Sequence, residues 1–382
     1  MNDGPAILVT GGAGYIGSHC CRALAAAGFH PVVFDNLSTG HRSFVTGSLV
    51  TGDLLDRAAL DRAFARHDIV AVMHFAALSL VGESVADPQK YYQNNVAGTL
   101  SLLEAMRGAG CNRLVFSSTG AVYGNADSKA LSENHPCAPI NPYGASKWMI
   151  ERILADCRSA YGLGAFCLRY FNASGADASG GIGELRDNET HLIPRAMMAL
   201  QGHVADFAVF GDDYDTPDGT AIRDYIHVTD LAAAHVLALE LLMQGHCGGA
   251  LNLGTGTGFS VREILGAIAA ETGRKVPHVI KPRRAGDPTY LVADPTAARN
   301  TLKFQPSHSD LATIIRTAWA LRGTHSTARR TRAGPRCPGA GFQFRSRTGR
   351  PAYAYERRAV RAFRSNLLQR RKMTKMLVIV RP

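Results

Sequence analysis

Two side chains in the segment NPYGASKWMIE, Tyr143 and Lys147, have the spacing of a proton-transferring pair. Residues four apart on a helix share one face, so the phenol and the ammonium would be neighbours. A phenol with its usual pKa of about 10 is a poor base at neutral pH, but a nearby cation lowers that pKa by roughly 2 units. We therefore expect Tyr143 to accept a proton from a substrate hydroxyl beside Lys147. An amphipathic surface helix shows the same spacing by chance.

A run of hydroxyl side chains lies about one βα unit before this pair, in the segment FSSTGAVYG. It places Ser117, Ser118 and Thr119 at the expected end of a strand, where a hydroxyl can hydrogen-bond the reacting oxygen of a substrate. Ordinary strand-end serines explain Ser117 and Ser118 better than they explain Thr119. Thr119 is therefore the third candidate catalytic residue, beside Tyr143 and Lys147.

The segment AILVTGGAGYIGSH predicts a strand, a glycine-rich turn and a helix. Gly11, Gly14 and Gly17 would allow a tight turn, close approach of a pyrophosphate to the backbone, and close packing of helix on strand. A helix N-terminus favours phosphate there. Asp35 ends the next predicted strand, where its carboxylate can bind both ribose hydroxyls and repel a 2′-phosphate, which favours NAD over NADP. Asp53 could hold the adenine edge or, equally, cap a helix.

The elements that would position these residues alternate between short apolar runs and helical patterns. This alternation predicts a Rossmann-type α/β fold with a doubly wound parallel sheet, together with a smaller mixed α/β domain. The predicted strands are 6–10, 31–35, 69–74, 113–117 and 164–170. The predicted helices are 15–27, 56–66, 88–108, 143–161, 191–201, 229–243, 261–272 and 310–321.

The net charge of +11 comes from one end of the chain. Residues 322–382 hold 17 of the 42 basic residues and one acidic residue, Glu356, so the rest of the chain is mildly acidic. This basic segment is rich in Arg, Gly and Pro and lacks apolar periodicity, which indicates a disordered tail. Nucleic-acid binding is not expected of the body, and any such role would rest on this tail alone.

Membrane and metal partners are not expected. No apolar run reaches the roughly 20 residues that span a bilayer, and the N-terminal segment lacks the pattern of a signal peptide, so we expect a cytoplasmic protein. The cysteines and histidines show no zinc-binding spacing, so no metal site is expected.

Nine segments in order between about residue 6 and about residue 321 resemble the UDP-glucose 4-epimerases of the extended short-chain dehydrogenase/reductase family. They are GGAGYIG, HFAALSLVGES, YYQNNVAGT, FSSTGAVYG, NPYGASK, LRYFNASGA, GTAIRDYIHVTDL, NLGTGTGFSV and PRRAGDP. The resemblance implies an isomerase that interconverts UDP-galactose and UDP-glucose by transient oxidation to a 4-keto sugar with bound NAD. It also implies a homodimer formed through the helices around Asn95 and Lys147.

The resemblance also implies a set of site residues. Those implied to bind NAD are Gly11, Gly14, Tyr15, Ile16, Gly17, Asp35, Asn36, Asp53, Leu54, Phe75, Ala76, Ala77, Asn94, Lys147 and Tyr170. Those implied to hold the UDP-sugar are Thr119, Tyr143, Asn172, Arg223, Arg284 and Asp287. The two arginines also make sense alone, because a pyrophosphate needs bidentate donors, although solvated surface arginines are an ordinary alternative.

The implied domains are an NAD-binding Rossmann domain at 1–171, to which a segment at about 226–254 returns, a mainly UDP-sugar-binding domain at 172–321, and the basic tail at 322–382. Three departures stand out: Thr119 replaces the usual serine, Ser79 stands where we expect a lysine that contacts NAD, and the basic tail replaces a short ending.

Three other functions stay open. One is an epimerase of UDP-N-acetylhexosamines or UDP-pentoses, although a bulky Leu291 near the expected sugar pocket favours glucose and galactose. A nucleotide-sugar dehydratase would need a carboxylate pair directly after Thr119, where this chain has Gly120 and Ala121. The third is a non-catalytic protein that binds NAD or nucleic acid.

Overall fold

A computed structural model describes residues 4–126, 130–284 and 287–332. Its strands are β1 (Ala6–Thr10), β2 (His30–Asp35), β3 (Ser48–Thr51), β4 (Ile69–His74), β5 (Arg113–Thr119), β6 (Gly164–Tyr170), β7 (Asn172–Ser174), β8 (Ala208–Phe210), β9 (Ile222–His227), β10 (Gly248–Leu253), β11 (Gly258–Ser260), β12 (Val279–Lys281) and β13 (Tyr290–Leu291). The part of the predicted disordered tail from residue 333 onward lies outside the described residues.

Seven of these strands form one parallel sheet in the order β10-β6-β5-β4-β1-β2-β3. Strands such as β1 and β5 are buried on both faces, as a sheet covered by helices on each side requires. The strand order reverses between β1 and β4, so the carboxyl ends of these two strands flank a crevice that can take a ligand. The predicted Rossmann-type fold class is confirmed.

Helices cover both faces of this sheet. The helices are α1 (Tyr15–Ala26), α2 (Arg57–Arg66), α3 (Val81–Ala86), α4 (Pro88–Tyr91), α5 (Gly98–Gly108), α6 (Pro142–Tyr161), α7 (Leu192–Leu200), α8 (Val228–Met243), α9 (Val261–Thr272), α10 (Thr296–Leu302) and α11 (Leu311–Arg332). On one face Leu24 of α1 and Leu239 of α8 share a buried core with Val9. On the other face the side chains of α2, α5 and α6 form a second core around Phe116.

A smaller lobe follows β6. Its central strand β9 pairs with β7 and β13 in parallel and with β11 antiparallel, while β8 pairs with β12. Ile193 of α7, Ile264 of α9 and Ile314 of α11 pack with Tyr225 into one buried cluster. Within Met1–Ser326 the contacts form a single compact unit. The boundaries of the expected domains stay a prediction.

Several elements differ from the sequence-based expectations, since strands β7–β13 and helices α3 and α10 were not predicted. The helix expected at 88–108 is divided by a π-helical stretch, Tyr92–Ala97. There Asn95 Oδ1 accepts a hydrogen bond from Leu78 N, and Asn95 Nδ2 donates one to the Leu78 carbonyl oxygen. The helix expected to end at Leu321 continues through Arg332. Strand β3 was not predicted, because four residues with one apolar pair give little periodicity.

None of the helices in the described ranges has the length and hydropathy to cross a membrane.

Candidate active site

The glycine-rich turn joins β1 to α1 at the switch point of the sheet. Gly11 has φ +71°, and a Cβ there would come 2.6 Å from the Ala76 nitrogen, so glycine is required. A Cβ on Gly17 would lie 2.2 Å from the Gly11 carbonyl oxygen. Helix α1 begins after Gly14 without a side-chain cap, which leaves its first N–H groups available to an anion.

Asp35 ends β2 beside this turn and is almost fully buried. Its carboxylate accepts hydrogen bonds from Ala13 N at 3.0 Å and Leu37 N at 2.8 Å, which fixes its orientation. The two oxygens keep further lone pairs for ribose hydroxyls. The negative charge of Asp35 would also repel a 2′-phosphate.

Asp53 follows β3 and does not cap α2. The cap is Asp56, whose side chain accepts a hydrogen bond from Ala59 N. Asp53 instead accepts hydrogen bonds from Asn36 Nδ2 at 2.8 Å and from Leu55 N at 2.9 Å. The helix-cap alternative for Asp53 was therefore wrong, and its link to Asn36 holds it at the edge of the site.

A cleft extends from the glycine turn along the carboxyl ends of the strands. Every residue that the resemblance implies for NAD lines this cleft: Gly11, Gly14, Tyr15, Ile16, Gly17, Asp35, Asn36, Asp53, Leu54, Phe75, Ala76, Ala77, Asn94, Lys147 and Tyr170. Tyr143 lines it as well. The structure thus brings the expected base and the expected cofactor residues into one space.

Helix α6 carries both Tyr143 and Lys147 into the cleft. The helix begins at Pro142, and the side chain of Asn141 caps it by accepting a hydrogen bond from Gly144 N. Lys147 is nearly fully buried and donates a hydrogen bond to the Ser117 carbonyl oxygen at 2.9 Å. Burial lowers the pKa of Lys147 to about 7.

Within the protein alone, the pKa of Tyr143 is not lowered. Burial raises the pKa of Tyr143 above its usual value, while the hydroxyl of Thr119 and the positive charge of Arg186 lower it in part. The loss of water around the buried phenol outweighs these two contributions within the protein. Additional positive charge is needed to make Tyr143 a base.

The neighbouring Ser117 and Ser118 form hydrogen bonds with other side chains of the protein. Ser118 Oγ donates to Glu151 Oε1 at 2.5 Å, and Glu151 forms a buried ion pair with Arg169 at 2.6 Å. Ser117 Oγ is hydrogen-bonded to the Tyr170 hydroxyl. Of the three hydroxyl side chains at the end of β5, Thr119 is the one that acts on Tyr143, in agreement with its selection from the sequence.

The residues implied for the UDP-sugar lie outside the lining of this cleft, apart from Tyr143. Asn172 borders a second, smaller cavity and donates to the Asp224 carbonyl oxygen at 2.9 Å. Arg223 and Asp287 come together at 3.6 Å. Arg284 stacks over the ring of Phe210, 3.9 Å from its centroid. Arg223 and Asp287 are thus neighbours, whereas Arg284 has a different partner.

Sequence reasoning missed the segment that covers the cleft. Gly183, Leu185 and Arg186 line it from the smaller lobe. Their stretch, GIGELRDN, has no periodicity and no recognisable motif, so only the three-dimensional contacts identify it.

Glu184, Glu189 and His191 place potential metal-ligand atoms within 4.8 Å of one another. His191 Nδ1 lies 2.9 Å from Glu184 and 3.1 Å from Glu189. These two carboxylates raise the pKa of His191 to about 9. A protonated imidazole is a cation rather than a ligand at neutral pH, so this group is a cluster of ion pairs.

Comparison with known proteins agrees with this geometry. Residues 7–254 match the model of the NAD dependent epimerase/dehydratase family. The chain belongs to that family. It is 54% identical over 317 residues to a UDP-glucose 4-epimerase of Rhizobium leguminosarum bv. trifolii, covering 83% of this chain and 97% of the relative.

Two solved members of the family show the same fold. The UDP-glucose 4-epimerase of Brucella ovis in complex with NAD is 55% identical, with a TM-score of 0.81 over 82% of this chain and 97% of that one. The enzyme from Bifidobacterium longum in complex with NAD⁺ and UDP is 36% identical, with a TM-score of 0.79 over 84% of this chain and 99% of that one. The likeness therefore includes the whole of the Rossmann sheet and the smaller lobe.

Proposed function

We propose that this chain catalyses the reversible C4 epimerisation of UDP-galactose and UDP-glucose through a 4-keto sugar, with bound NAD. The observation that carries the proposal is the single cleft in which Tyr143 and Lys147 meet the glycine turn and Asp35. The names of the relatives point to the same reaction. Geometry and relatedness thus support one activity.

The residues of the cleft fit NAD. The uncapped N-terminus of α1 offers N–H groups to a pyrophosphate, and the fixed carboxylate of Asp35 suits an unphosphorylated ribose. Bound NAD would supply the redox chemistry, by taking hydrogen from C4 of the sugar and returning it to the opposite face. The protein supplies orientation, proton transfer and exclusion of water.

Three side chains would handle the proton. Tyr143 accepts the proton of the sugar 4-hydroxyl, and Thr119 hydrogen-bonds the same oxygen. The ammonium of Lys147 is held in place by its hydrogen bond to the Ser117 carbonyl oxygen, and it adds positive potential to the site. The positive charge of an oxidised nicotinamide would lower the pKa of Tyr143 further, which the protein alone does not achieve.

The smaller lobe would hold the nucleotide part of the substrate. Arg223 is mostly buried and paired with Asp287, so its guanidinium is oriented before substrate arrives. Asn172 and Arg284 would complete the grip on UDP. Epimerisation requires the 4-keto sugar to rotate and present its opposite face to the cofactor. The site must therefore bind UDP firmly and the sugar weakly.

The dehydratase alternative is disfavoured by the backbone after β5. Gly120 and Ala121 form a 3₁₀ turn at the position where elimination would need acid and base groups. A Cβ on Gly120 would lie 2.9 Å from the ring of Phe171, so no side chain fits there without displacement of that ring. Proton removal at C5 and water loss at C6 therefore lack a catalyst.

The decisive experiment is an assay of the purified chain with UDP-galactose and no added NAD. We expect UDP-glucose to form, and NAD to appear in the supernatant after acid precipitation. Turnover of UDP-galactose should exceed that of UDP-N-acetylgalactosamine about tenfold in kcat/KM, a difference of roughly 1.4 kcal/mol. No interconversion by protein that carries NAD would overturn the proposal, and equal rates would show that Leu291 does not limit the C2 side of the sugar.

A homodimer forms part of the proposal. Helices α3, α5 and α6 expose four large apolar side chains: Val81 at 46%, Val85 at 63%, Leu100 at 44% and Met149 at 45%. Helix α3 packs against α6, so the exposed groups on these two helices lie close together. We expect Val85→Lys to shift the protein toward monomers in analytical ultracentrifugation, whereas a variant of the exposed Val279 should keep the parental mass.

The domain boundaries and the cellular location are two further proposals. The first is the division into an NAD-binding part at 1–171 and a mainly UDP-sugar-binding part at 172–321. The second is a cytoplasmic location, which cell fractionation would test.

A further inference from the structure

Arg186 crosses the cofactor cleft from the smaller lobe. Its Nε donates to Glu184 Oε1 at 3.1 Å and its Nη1 reaches Ser79 Oγ at 3.4 Å, on the opposite wall. Its side chain is 31% exposed. The proposed catalytic cycle gives this residue no role.

The backbone around Arg186 lies over the glycine-rich turn. The Leu185 carbonyl oxygen is 2.8 Å from His41 Nε2, and the N–H of His41 donates to the Ala13 carbonyl oxygen at 2.9 Å. On the other side, the Tyr15 hydroxyl donates to the Gly175 carbonyl oxygen at 2.7 Å. The smaller lobe is therefore linked to Ala13 through His41 and to Tyr15 directly, both at the end of the turn where α1 begins.

Arg186 is also the accessible cation of the cleft. Among the described residues, the arginines and lysines that line the cleft are Arg186 and Lys147, and Lys147 is 3% exposed and bonded to Ser117. Within the same ranges, Arg186 Nη2 has no hydrogen-bond partner. A guanidinium with free N–H groups, lining the same cleft as an uncapped helix N-terminus, is suited to a phosphate oxygen.

Glu184 keeps this guanidinium in place without neutralising the site. Its carboxylate is shared between Arg186 and His191, which is itself protonated at neutral pH. The hydrogen bond to Ser79 is long and its acceptor is neutral, so it orients the guanidinium without reducing its positive charge. The side chain is thus oriented while part of its positive charge remains available.

We propose that Arg186 binds the pyrophosphate of NAD from the side opposite the α1 N-terminus and so retains the cofactor between catalytic cycles. This inference rests on the NAD-dependent function proposed above. Its location also explains why its charge acts on Tyr143, so the residue would connect cofactor retention with the reactivity of the base. Retention suits an enzyme that regenerates its cofactor within each cycle.

The test measures cofactor exchange in the purified holoprotein rather than activity alone. The parent is mixed with an excess of a fluorescent etheno derivative of NAD, and the rate at which bound NAD is replaced is followed. We expect Arg186→Met to exchange at least about tenfold faster, because one charge-assisted hydrogen bond to phosphate is lost and such losses act mainly on dissociation. Arg186→Lys keeps the charge but loses the bidentate guanidinium, so its exchange rate should lie between those of the parent and Arg186→Met.

Arg195→Met is the matched control. Arg195 has a similar exposure of 32% and an ion pair with Asp206 at 3.3 Å, but it lies on α7 and does not line the cleft. It should exchange NAD at the parental rate. Thermal unfolding of each variant shows whether it is folded, and Ser79→Ala, which removes only the contact across the cleft, should speed exchange less than Arg186→Met.

Parental exchange in a folded Arg186→Met variant would overturn the proposal while leaving the epimerase function intact. Equal acceleration by Arg186→Met and Arg195→Met would also overturn it, since general loosening of the lobe would then be the cause. If Arg186→Met does not fold, parental exchange in Arg186→Lys and Ser79→Ala together would overturn it. A parent that holds no NAD and binds none would refute the NAD-dependent function itself.

Discussion

The ammonium of Lys147 donates a hydrogen bond to the carbonyl oxygen of Ser117, 2.9 Å away at the end of β5. This contact orients a cation whose pKa burial has lowered to about 7, so its charge is only partly present at neutral pH. Burial meanwhile raises the pKa of Tyr143. The remaining positive charge that a tyrosinate needs has to come from the bound cofactor and from Arg186.

Replacement of Tyr143 by Phe removes one oxygen and should abolish the base. We expect kcat for UDP-galactose to fall by about 10² to 10⁴-fold, with UDP affinity and bound NAD little changed. Steady-state kinetics and titration with UDP measure the two effects. A variant within a few-fold of the parental kcat would refute the assignment of the base.

Thr119 provides the matched comparison for that result. Thr119→Ala removes a hydrogen-bond partner rather than the proton acceptor, so its kcat should fall less than that of Tyr143→Phe. Thr119→Ser keeps the hydroxyl and should be nearly silent in the same assay. An equal loss for Thr119→Ser and Thr119→Ala would mean that the methyl group, which both variants lack, matters more than the hydroxyl.

Replacement of Lys147 by Met should lower activity and raise stability. The variant should lose kcat and bind NAD more weakly, because the anchored ammonium is gone. A lysine whose folded pKa is depressed destabilises the fold progressively as pH falls from about 10.4 in the unfolded chain to about 7. In NAD-free protein the melting temperature of Lys147→Met should therefore exceed that of the parent by an amount that grows over this interval and then levels off. Lys90→Met, at an exposed ion pair, should show neither change.

The glycine turn, Asp35 and the Tyr143–Lys147 pair were predictable because each is a local pattern within one strand, turn or helix. The sequence could not reveal Arg186, since its contact with Ser79 joins residues 107 positions apart. Nor could spacing show that burial outweighs charge at Tyr143, because desolvation depends on every element packed around the phenol. The π-helical stretch at Tyr92–Ala97 depends in the same way on the bonds of Asn95 to Leu78 and Ser146.

Glu151 should be essential for stability rather than for chemistry. Its carboxylate binds Arg169 through three hydrogen bonds and also accepts one from Ser118, with both ionic side chains 4% exposed. Glu151→Gln leaves Arg169 buried without its counter-ion, and this should lower the free energy of unfolding by about 3–5 kcal/mol in urea. Asp61→Asn, at the exposed pair with Arg57, should cost less than about 1 kcal/mol. Equal costs would show that water reaches the Glu151–Arg169 pair.

His191 should make stability depend on pH in the alkaline range. Glu184 and Glu189 raise its folded pKa to about 9, whereas the unfolded chain has the ordinary value near 6.5. Because the folded pKa is the higher one, the stabilisation is fully present below about pH 6.5 and is lost as pH rises toward about 9. The difference in melting temperature between the parent and His191→Gln should therefore be largest at pH 6 and shrink steadily to pH 9.

The exposed His203 gives the control for this series, since His203→Gln should differ from the parent by a small amount that does not follow this curve. Glu189→Gln tests the cause directly: it removes one of the two carboxylates that raise the folded pKa of His191, so the decline in stability should be smaller and should be complete at a lower pH than in the parent. A difference between parent and His191→Gln that grows with rising pH would have the opposite sign and would show that the imidazole is neutral in the fold. In that case Arg186 would be the one cation of the two that pairs with the Glu184 carboxylate, and more of its positive charge would be neutralised.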